Sequence, residues 1–305
     1  MTAKVHPTNA PPLLTVNNLS IAFGGLKAID GFSMQAETGK ITAVIGPNGA
    51  GKTTLFNCIT GFYQPNSGEI LLQQDGVSYE LQKLRGHRIA SHAGVSRTFQ
   101  NIRLFGRMSV LENLIVAQHN HLSRASVWSL AGLVNSKSFR QAERDAVEKA
   151  RYWLDRFKLL PFADSEAGTL SYGAQRRVEI ARALCTDPKL LCLDEPAAGL
   201  NASESAELNR SLLDILAHQK IGILLIEHDM SVVMQISDHI AVLDYGKKIA
   251  EGTPAQIQGN PKVIEAYLGT DAALEGYSVP GDSGPGEARV RSNTASGNRP
   301  KRQGR

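Results

Sequence analysis

The stretch GPNGAGKTT, residues 46–54, lies directly between the apolar run ITAVI and the segment LFNCITG. Its spacing matches the phosphate-binding signature G-x-x-x-x-G-K-[ST]. The defined positions are Gly46, Gly51, Lys52 and Thr53. Glycines let backbone N–H groups converge on an anion, and the helix that follows adds the positive end of its dipole. The sequence therefore predicts a phosphate-binding loop between a buried strand and a helix, although such a loop does not by itself define the reaction.

The composition is that of a globular protein without a membrane span. The chain has 305 residues, of which 42% are hydrophobic, enough to build a core. No stretch approaches the roughly 18 consecutive apolar residues of a membrane-spanning helix, and the N-terminus lacks the apolar centre of a secretory signal. These features predict a cytoplasmic protein. Cys58, Cys185 and Cys192 lie in apolar contexts without metal-like spacing, which favours reduced thiols in the core.

The C-terminal segment 271–305 differs from the rest of the chain. It is rich in Gly, Ser and Pro and too poor in apolar residues to offset the entropy of ordering, which predicts a disordered tail. Its last part is basic and carries no acid. The basic residues are Arg289, Arg291, Arg299, Lys301, Arg302 and Arg305. A solvated appendage is the favoured interpretation, and contact with anionic lipid or nucleic acid is the alternative.

The pattern of apolar runs predicts an α/β fold. Residues 13–45 form short alternating or apolar runs that predict strands leading into the phosphate loop. The later runs 190–193 and 221–226 are continuously apolar, and a helix from about 203 to 218 separates them. Such runs are typical of a parallel sheet covered on both faces. The phosphate-loop strand belongs in that sheet.

The segment from 105 to about 168 is predicted to be a helical insertion. Ser109 and Glu112 have capping-box spacing, and residues 139–157 place apolar side chains on one helical face. The insertion interrupts one nucleotide-binding domain. His119 and His121 stand two residues apart on a predicted helix and face different directions, so we interpret them as surface residues.

Two further motifs indicate which reaction the phosphate loop serves. In LLCLDEP, Asp194 and Glu195 end a buried strand, where one acid can hold Mg²⁺ and the other can polarise an attacking water. In LSYGAQRR, Ser171 is the predicted N-cap of a helix whose start, near Gly173, is a possible anion site. Because one ATP rarely needs two helix termini of one chain, this second terminus is predicted to meet a nucleotide held by another copy.

Together these motifs resemble an ATP-binding cassette, the ATPase subunit of ABC transporters, from about Leu13 to Gly269. The resemblance implies that Phe23 stacks on adenine, that Gln100 reaches the metal and relays toward membrane subunits, and that His228 is the switch histidine. It also implies ATP and Mg²⁺ as cofactors, with Thr53, Gln100 and Asp194 as metal ligands and Glu195 and His228 as catalytic residues. The implied nucleotide contacts are Phe23, Gly46, Asn48, Gly49, Gly51, Lys52, Thr53, Thr54, Gln100, Ser171 and Gly173.

Within that family the chain is similar to the ATP-binding subunit of branched-chain amino-acid importers, the Liv type. The carrying stretches are GPNGAGKTTLFNCITGFY, SRTFQNIRLF, LDEPAAGLN, LLIEHDM and the ending GTPAQIQGNPKVIEAYLG. The segment LSYGAQ, residues 170–175, corresponds to the signature motif of the family, which commonly reads LSGGQ, and it differs from that motif at Tyr172 and Ala174. In AGLN, Asn201 replaces the usual aspartate of the D-loop. Asn201 is predicted to cap the next helix together with Glu204.

The resemblance implies a P-loop nucleotide-binding domain with a parallel sheet core, an antiparallel β subdomain and an inserted helical subdomain. We expect an N-terminal extension over 1–12, the ABC ATPase domain over 13–270 and the tail over 271–305. The implied partners are two integral-membrane permeases, a second cassette, with a heterodimer favoured, and an extracytoplasmic solute-binding protein. The expected location is the cytoplasmic face of the inner membrane.

Other functions stay open at this point. The same cassette can serve urea, amides or aromatic compounds. A nucleic-acid-associated cassette protein and a small-molecule P-loop kinase are the rivals from other classes. The chain has neither the long coiled coil and zinc-binding cysteines of repair cassettes nor a second cassette, and the signature motif opposes a kinase. We therefore expect no nucleic acid as a partner.

Overall fold

The computed structural model describes residues 11–119 and 137–268. The predicted tail, most of the predicted N-terminal extension and His121 lie outside these residues. The boundaries of the three predicted domains therefore stay predictions.

Two sheets form the framework. The antiparallel sheet contains β1 (Leu14–Phe23), β2 (Leu26–Ala36), β4 (Ser67–Gln74) and β5 (Val77–Glu80), in the order β2-β1-β4-β5. The second sheet contains β3 (Ile41–Ile45), β6 (Val95–Arg97), β7 (Leu190–Asp194), β8 (Gly222–Ile226), β9 (His239–Asp244) and β10 (Lys247–Gly252). Its order is β10-β9-β3-β8-β7-β6, with β10 antiparallel at one edge and the other strands parallel. The prediction of an α/β fold with the phosphate-loop strand in a parallel sheet is confirmed.

Nine helices lie in the described part of the chain. They are α1 (Lys52–Ile59), α2 (Gly86–Ser91), α3 (Val110–Ala117), α4 (Lys137–Arg156), α5 (Tyr172–Leu184), α6 (Ala202–His218), α7 (Met230–Ile236), α8 (Pro254–Gln258) and α9 (Pro261–Leu268). Short 3₁₀ turns occupy Leu81–Lys83, Leu160–Phe162 and Ala167–Thr169. In residues 11–119 and 137–268, no helix combines the length and apolarity that crossing a bilayer requires.

The six-stranded sheet is covered on both faces because its strands alternate between two apolar clusters. In β3, Ile41, Ala43 and Ile45 pack into the cluster that includes α3 to α6, whereas Val44 packs into the cluster with α1 and the antiparallel sheet. Strand β7 divides in the same way, with Leu191 and Leu193 on the first side. The fully buried strands explain why their sequences are continuously apolar.

Local predictions are also confirmed by specific hydrogen bonds. Glu112 N–H donates to Ser109 Oγ (3.1 Å) and Ser109 N–H donates to Glu112 Oε2 (2.8 Å), which completes the predicted capping box of α3. Strand β6 is short and covers only Val95–Arg97 before the chain continues into a loop. All three cysteines are free and buried, and burial raises the pKa of each thiol to about 12.

Candidate functional site

The glycines of the phosphate loop are required by space as well as by backbone conformation. Gly46 has a φ of 152°, and a Cβ there would lie 1.9 Å from the Leu243 carbonyl oxygen. Gly51 has a φ of 106°, and its Cβ would lie 2.5 Å from the Ala28 carbonyl oxygen. Gly49 differs, because its φ is 81° but nothing lies within 4 Å of a Cβ. Neighbouring backbone therefore fixes both ends of the loop, while its tip faces open space.

Lys52 closes the loop from inside. Its side chain is buried, and Nζ donates to the carbonyl oxygens of Gly46 (2.6 Å) and Pro47 (2.9 Å). Burial lowers the pKa of Lys52, and the negative charges of Glu195 and Asp194 act in the opposite direction. The phosphate loop and the acidic pair therefore belong to one electrostatic site.

The start of α1 is open to an anion. Gly51 is its N-cap and supplies no side-chain cap, so the first N–H groups of the helix are not satisfied by a cap. Asn48, Gly49 and Thr53 are exposed, and Thr54 is half-buried. The hydroxyl of Thr53 is thus accessible to a ligand at the helix start.

Asp194 and Glu195 have different surroundings although they are adjacent. Asp194 ends β7 in a buried position, and its Oδ2 accepts from Arg97 Nη2 at 2.5 Å. Glu195 adopts a positive φ of 46°, which turns its side chain away from the strand direction into a partly exposed position. Its N–H still donates to the Ile226 carbonyl oxygen at 2.9 Å. The two acids are therefore fixed for separate tasks.

Three predicted site residues come together around the Glu195 carboxylate. Gln100 Nε2 donates to Glu195 Oε2 at 2.7 Å, and His228 Nδ1 lies 3.6 Å from the same oxygen. The His228 side chain is 56% exposed, so it is open to a ligand on its other side. The structure thus groups Gln100, Glu195 and His228 at the carboxyl ends of β6, β7 and β8.

Glu227 is a residue that the sequence analysis missed. It is fully buried beside His228, and burial raises its pKa although backbone N–H groups oppose the change. Its Oε1 accepts from Ala197 N–H (2.7 Å) and its Oε2 from His228 N–H (3.2 Å). Glu227 therefore ties the segment after Glu195 to the segment that carries His228. The only local signal for it was its place next to the histidine in IEHD.

Phe23 lies at the end of β1 with 47% of its side chain exposed. Tyr63, which the sequence analysis did not single out, stands edge-on to it with the ring centroids 5.1 Å apart. One face of an exposed aromatic pair of this kind can stack on a planar base.

The signature segment is arranged differently from the phosphate loop. Ser171 is exposed and caps α5, its Oγ accepting from Ala174 N–H at 3.4 Å. Gly173 is buried, and a Cβ there would lie 2.7 Å from Glu204 Oε1. Glu204 in turn forms the predicted capping box with Asn201, with both hydrogen bonds at 3.0 Å. The predicted role of Asn201 as a cap is thus confirmed.

The donor set fits Mg²⁺. Asp194 offers a carboxylate, Gln100 an amide oxygen and Thr53 an exposed hydroxyl, and hard oxygen donors of this kind are what Mg²⁺ prefers. The amide of Gln100 uses its nitrogen toward Glu195, which leaves its oxygen available. These features on this fold define a P-loop ATPase of the ATP-binding-cassette class.

Comparison with known proteins gives the family. The model of the ABC transporter family matches residues 29–198, and that of the branched-chain amino acid ATP-binding cassette transporter matches residues 247–273. The chain is 52% identical to the high-affinity branched-chain amino acid transport ATP-binding protein BraF of Pseudomonas aeruginosa, over 85% of this chain and 98% of the relative. It is 50% identical, with the same coverage, to the corresponding protein LivG of Escherichia coli K12.

Solved structures agree with this. The ADP conformation of an ATP-binding cassette of an ABC transporter superposes with a TM-score of 0.71 at 32% identity, covering 85% of this chain and 100% of the other. A nucleotide-free cassette gives a TM-score of 0.69 at 33% identity, covering 84% and 99%. The chain belongs to the ABC transporter family and is an ATP-hydrolysing transporter subunit.

Proposed function

We propose that this subunit powers the import of branched-chain amino acids, or of closely related small solutes, through separate permeases. The proposal rests on the names of relatives about half identical to this chain and on the match of residues 247–273. Urea, amides and aromatic compounds are the alternative solutes, since in this proposal the solute is selected by the separate permeases and not by the cassette. The partners we propose are two permeases, a second cassette and a solute-binding protein.

The observation that carries the hydrolytic mechanism is the grouping of Gln100 and His228 on Glu195. We assign Glu195 to polarising the attacking water, because it is the partly exposed acid of the pair. Gln100 holds the carboxylate through its 2.7 Å hydrogen bond, and His228 donates to the terminal phosphate from its exposed side. Positioning and charge stabilisation of this kind are what phosphoryl transfer mainly requires.

The phosphate loop is the proposed binding site for the triphosphate of ATP. In the proposal, Lys52 donates to the outer phosphates, and the N–H groups from Asn48 to Thr54 surround the phosphate chain. Phe23 stacks on the base beside Tyr63. Thr53, Gln100 and Asp194 would hold Mg²⁺, and the bound ion would supply positive charge that offsets the charge of the phosphates.

The other half of the proposal concerns the partner cassette. Ser171 is exposed at the N-terminus of α5, and we propose that it and the N–H of Gly173 meet the nucleotide of the second cassette. Association and separation of the cassettes then moves the permeases. A heterodimer is the favoured arrangement, and the assembly lies on the cytoplasmic face of the membrane.

The permease contact is proposed at a groove beside Gln100. Exposed apolar side chains of Phe62, Phe105 and Val116 line this groove together with Phe99 and Arg103. An apolar groove next to the residue that touches Glu195 offers a direct connection between a docked permease and the reacting water.

The test is transport in reconstituted vesicles. The chain, its second cassette and the permeases encoded with it are incorporated in liposomes, and uptake of labelled leucine is measured with its solute-binding protein and ATP. We expect ATP-dependent leucine uptake that Glu195→Gln abolishes. Uptake of urea but not leucine would contradict the solute assignment, and ATP hydrolysis unaffected by permeases would contradict the transport function.

A further inference from the structure

Arg97, which has no part in the mechanism above, lies where three elements of the site meet. It ends β6, and its side chain is only 7% exposed. Nη2 donates to Asp194 Oδ2 at 2.5 Å, while Nη1 donates to Asn57 Oδ1 (2.6 Å) and Thr60 Oγ1 (3.2 Å) at the end of α1. One guanidinium thus joins the helix of the phosphate loop to the acid at the end of β7.

The position of this guanidinium is set largely without Asp194. Its central carbon lies 5.5 Å from the ring centroid of Phe56, 5.8 Å from that of Phe62 and 5.3 Å from that of Phe99. Aromatic faces attract a cation at such distances, and the planar fork of arginine loses little freedom when it is held in this way. Because these other contacts hold the Arg97 guanidinium in place, we infer that Arg97 sets the orientation of the Asp194 carboxylate.

This contact makes the two carboxylate oxygens of Asp194 different from each other. Oδ2 is engaged by Arg97, whereas within residues 11–119 and 137–268 no hydrogen bond or ion pair engages Oδ1. A carboxylate released by Arg97 would be free to rotate, so that Oδ1 would no longer be held in one direction.

We propose that Arg97 is the positioning residue for the metal: by holding Oδ2 it presents Oδ1 of Asp194 to Mg²⁺ or to its bound water. The inference rests on the proposed hydrolytic mechanism, in which Asp194 serves the metal. A purely structural role is the alternative, but burying an ion pair is by itself a weak source of stability. Groups that orient a metal ligand commonly change metal affinity about 10- to 100-fold when they are removed.

The experiment separates metal binding from turnover. Binding of the non-hydrolysable analogue AMP-PNP to the full-length chain is measured by calorimetry in saturating Mg²⁺ and in EDTA, and the Mg²⁺ concentration for half-maximal tightening is determined. We expect Arg97→Met to raise that concentration about 10-fold while the affinity in EDTA changes less than twofold. The double variant Arg97→Met/Asp194→Asn should match Asp194→Asn alone, because Arg97 acts through Asp194.

Arg156→Met is the matched control. Its guanidinium also lies over an aromatic ring, that of Tyr152 at 5.6 Å, and pairs with an aspartate, Asp214 at 3.3 Å, but it forms no described contact with Asp194. It should leave the Mg²⁺ requirement unchanged. If Arg97→Met does not fold, Arg97→Lys replaces it, since lysine keeps the charge but cannot span both α1 and Asp194, and the same shift is expected.

Several outcomes overturn the inference. Equal losses of affinity in Mg²⁺ and in EDTA would show a structural role, and an unchanged or tighter Mg²⁺ requirement would show that Arg97 does not position the carboxylate. Failure of the proposed mechanism itself looks different. In that case the wild-type chain would bind AMP-PNP equally in Mg²⁺ and in EDTA.

Discussion

The two anion-binding segments of this molecule are built in opposite ways. The phosphate loop is enclosed by its own chain, with Lys52 folded over it and backbone oxygens of Leu243 and Ala28 against its glycines. The signature segment at the start of α5 leaves Ser171 and Tyr172 exposed, and Ser171 Oγ accepts only the N–H that it caps among the described contacts. The first segment is complete in one chain, whereas the second presents a finished helix terminus outward.

This difference predicts which substitutions in the proposed shared site affect the isolated chain and which require the second cassette. Substitutions around the loop should act in the isolated chain, because all their contacts are internal. Substitutions at the signature should act only when a second cassette is present. Each variant below tests one side of that contrast, beginning with the largest expected effect.

Glu195→Gln should lower ATP hydrolysis about 1000-fold, because it removes the general base while keeping an acceptor for Gln100. Asp194 is untouched, so affinity for ATP should change less than twofold. Phosphate release and calorimetry measure the two quantities. Glu207→Gln removes another acid, one paired with Arg177 at 2.6 Å near the surface, and should hydrolyse ATP normally. Near-normal turnover in the Glu195 variant would remove this residue from the mechanism.

Gly46→Ala and Gly49→Ala should separate the cost of a steric clash from the cost of a positive φ within the loop. Both residues have positive φ, but only at Gly46 does a Cβ meet backbone, at 1.9 Å. We expect the Gly46 variant to lose about 3 kcal/mol of unfolding free energy and the Gly49 variant about 1 kcal/mol. Urea denaturation followed by circular dichroism measures both. Equal losses would mean that the Leu243 carbonyl does not restrict the loop.

Phe23→Ala should raise the KM for ATP about 10-fold with little change in kcat, since stacking on a base contributes about 1–3 kcal/mol of mostly uniform binding. Phe162→Ala is the control, because that ring is exposed to a similar degree, 44% against 47%. Steady-state hydrolysis gives both constants. A lower kcat at unchanged KM would show that Phe23 acts on the chemical step instead.

Ser171→Ala should give the smallest effect on the chain alone and reveal the partner. It removes one helix cap, which costs about 1 kcal/mol, and Ser109→Ala removes another of the same kind. Both variants should bind ATP normally as isolated chains. In the assembled transporter, only the Ser171 variant should slow hydrolysis, by about 10-fold. If the isolated Ser171 variant lost ATP binding, the signature would belong to its own nucleotide.

Much of the fold follows from local patterns. The continuous apolar runs of β3, β7 and β8 predicted a parallel sheet because a strand buried on both faces has no polar side. The caps at Ser109 and Asn201 were predicted because their partners stand three residues away. The short elements between 77 and 91 were not predicted, since none is long enough to show a period.

The candidate site was less accessible from sequence where its contacts are long-range. The motif residues Lys52, Glu195 and His228 have recognisable neighbours, and the structure places them in one site. The pairing of Arg97 with Asp194 joins residues 97 positions apart in the chain, and no spacing rule connects them. The roles of Tyr63 and Glu227 likewise can be recognised only from the residues that contact them in the structure.

The support behind the phosphate loop also has a consequence for biosynthesis. The Leu243 carbonyl lies against Gly46, and Gly246 N–H donates to the Ala50 carbonyl oxygen at 2.9 Å, so the turn between β9 and β10 braces the loop. Gly46 leaves the ribosome long before that turn is made. A nascent chain therefore carries the complete nucleotide signature before the backbone that supports the loop exists, and the loop gains this support only after residues 243–246 have been synthesised.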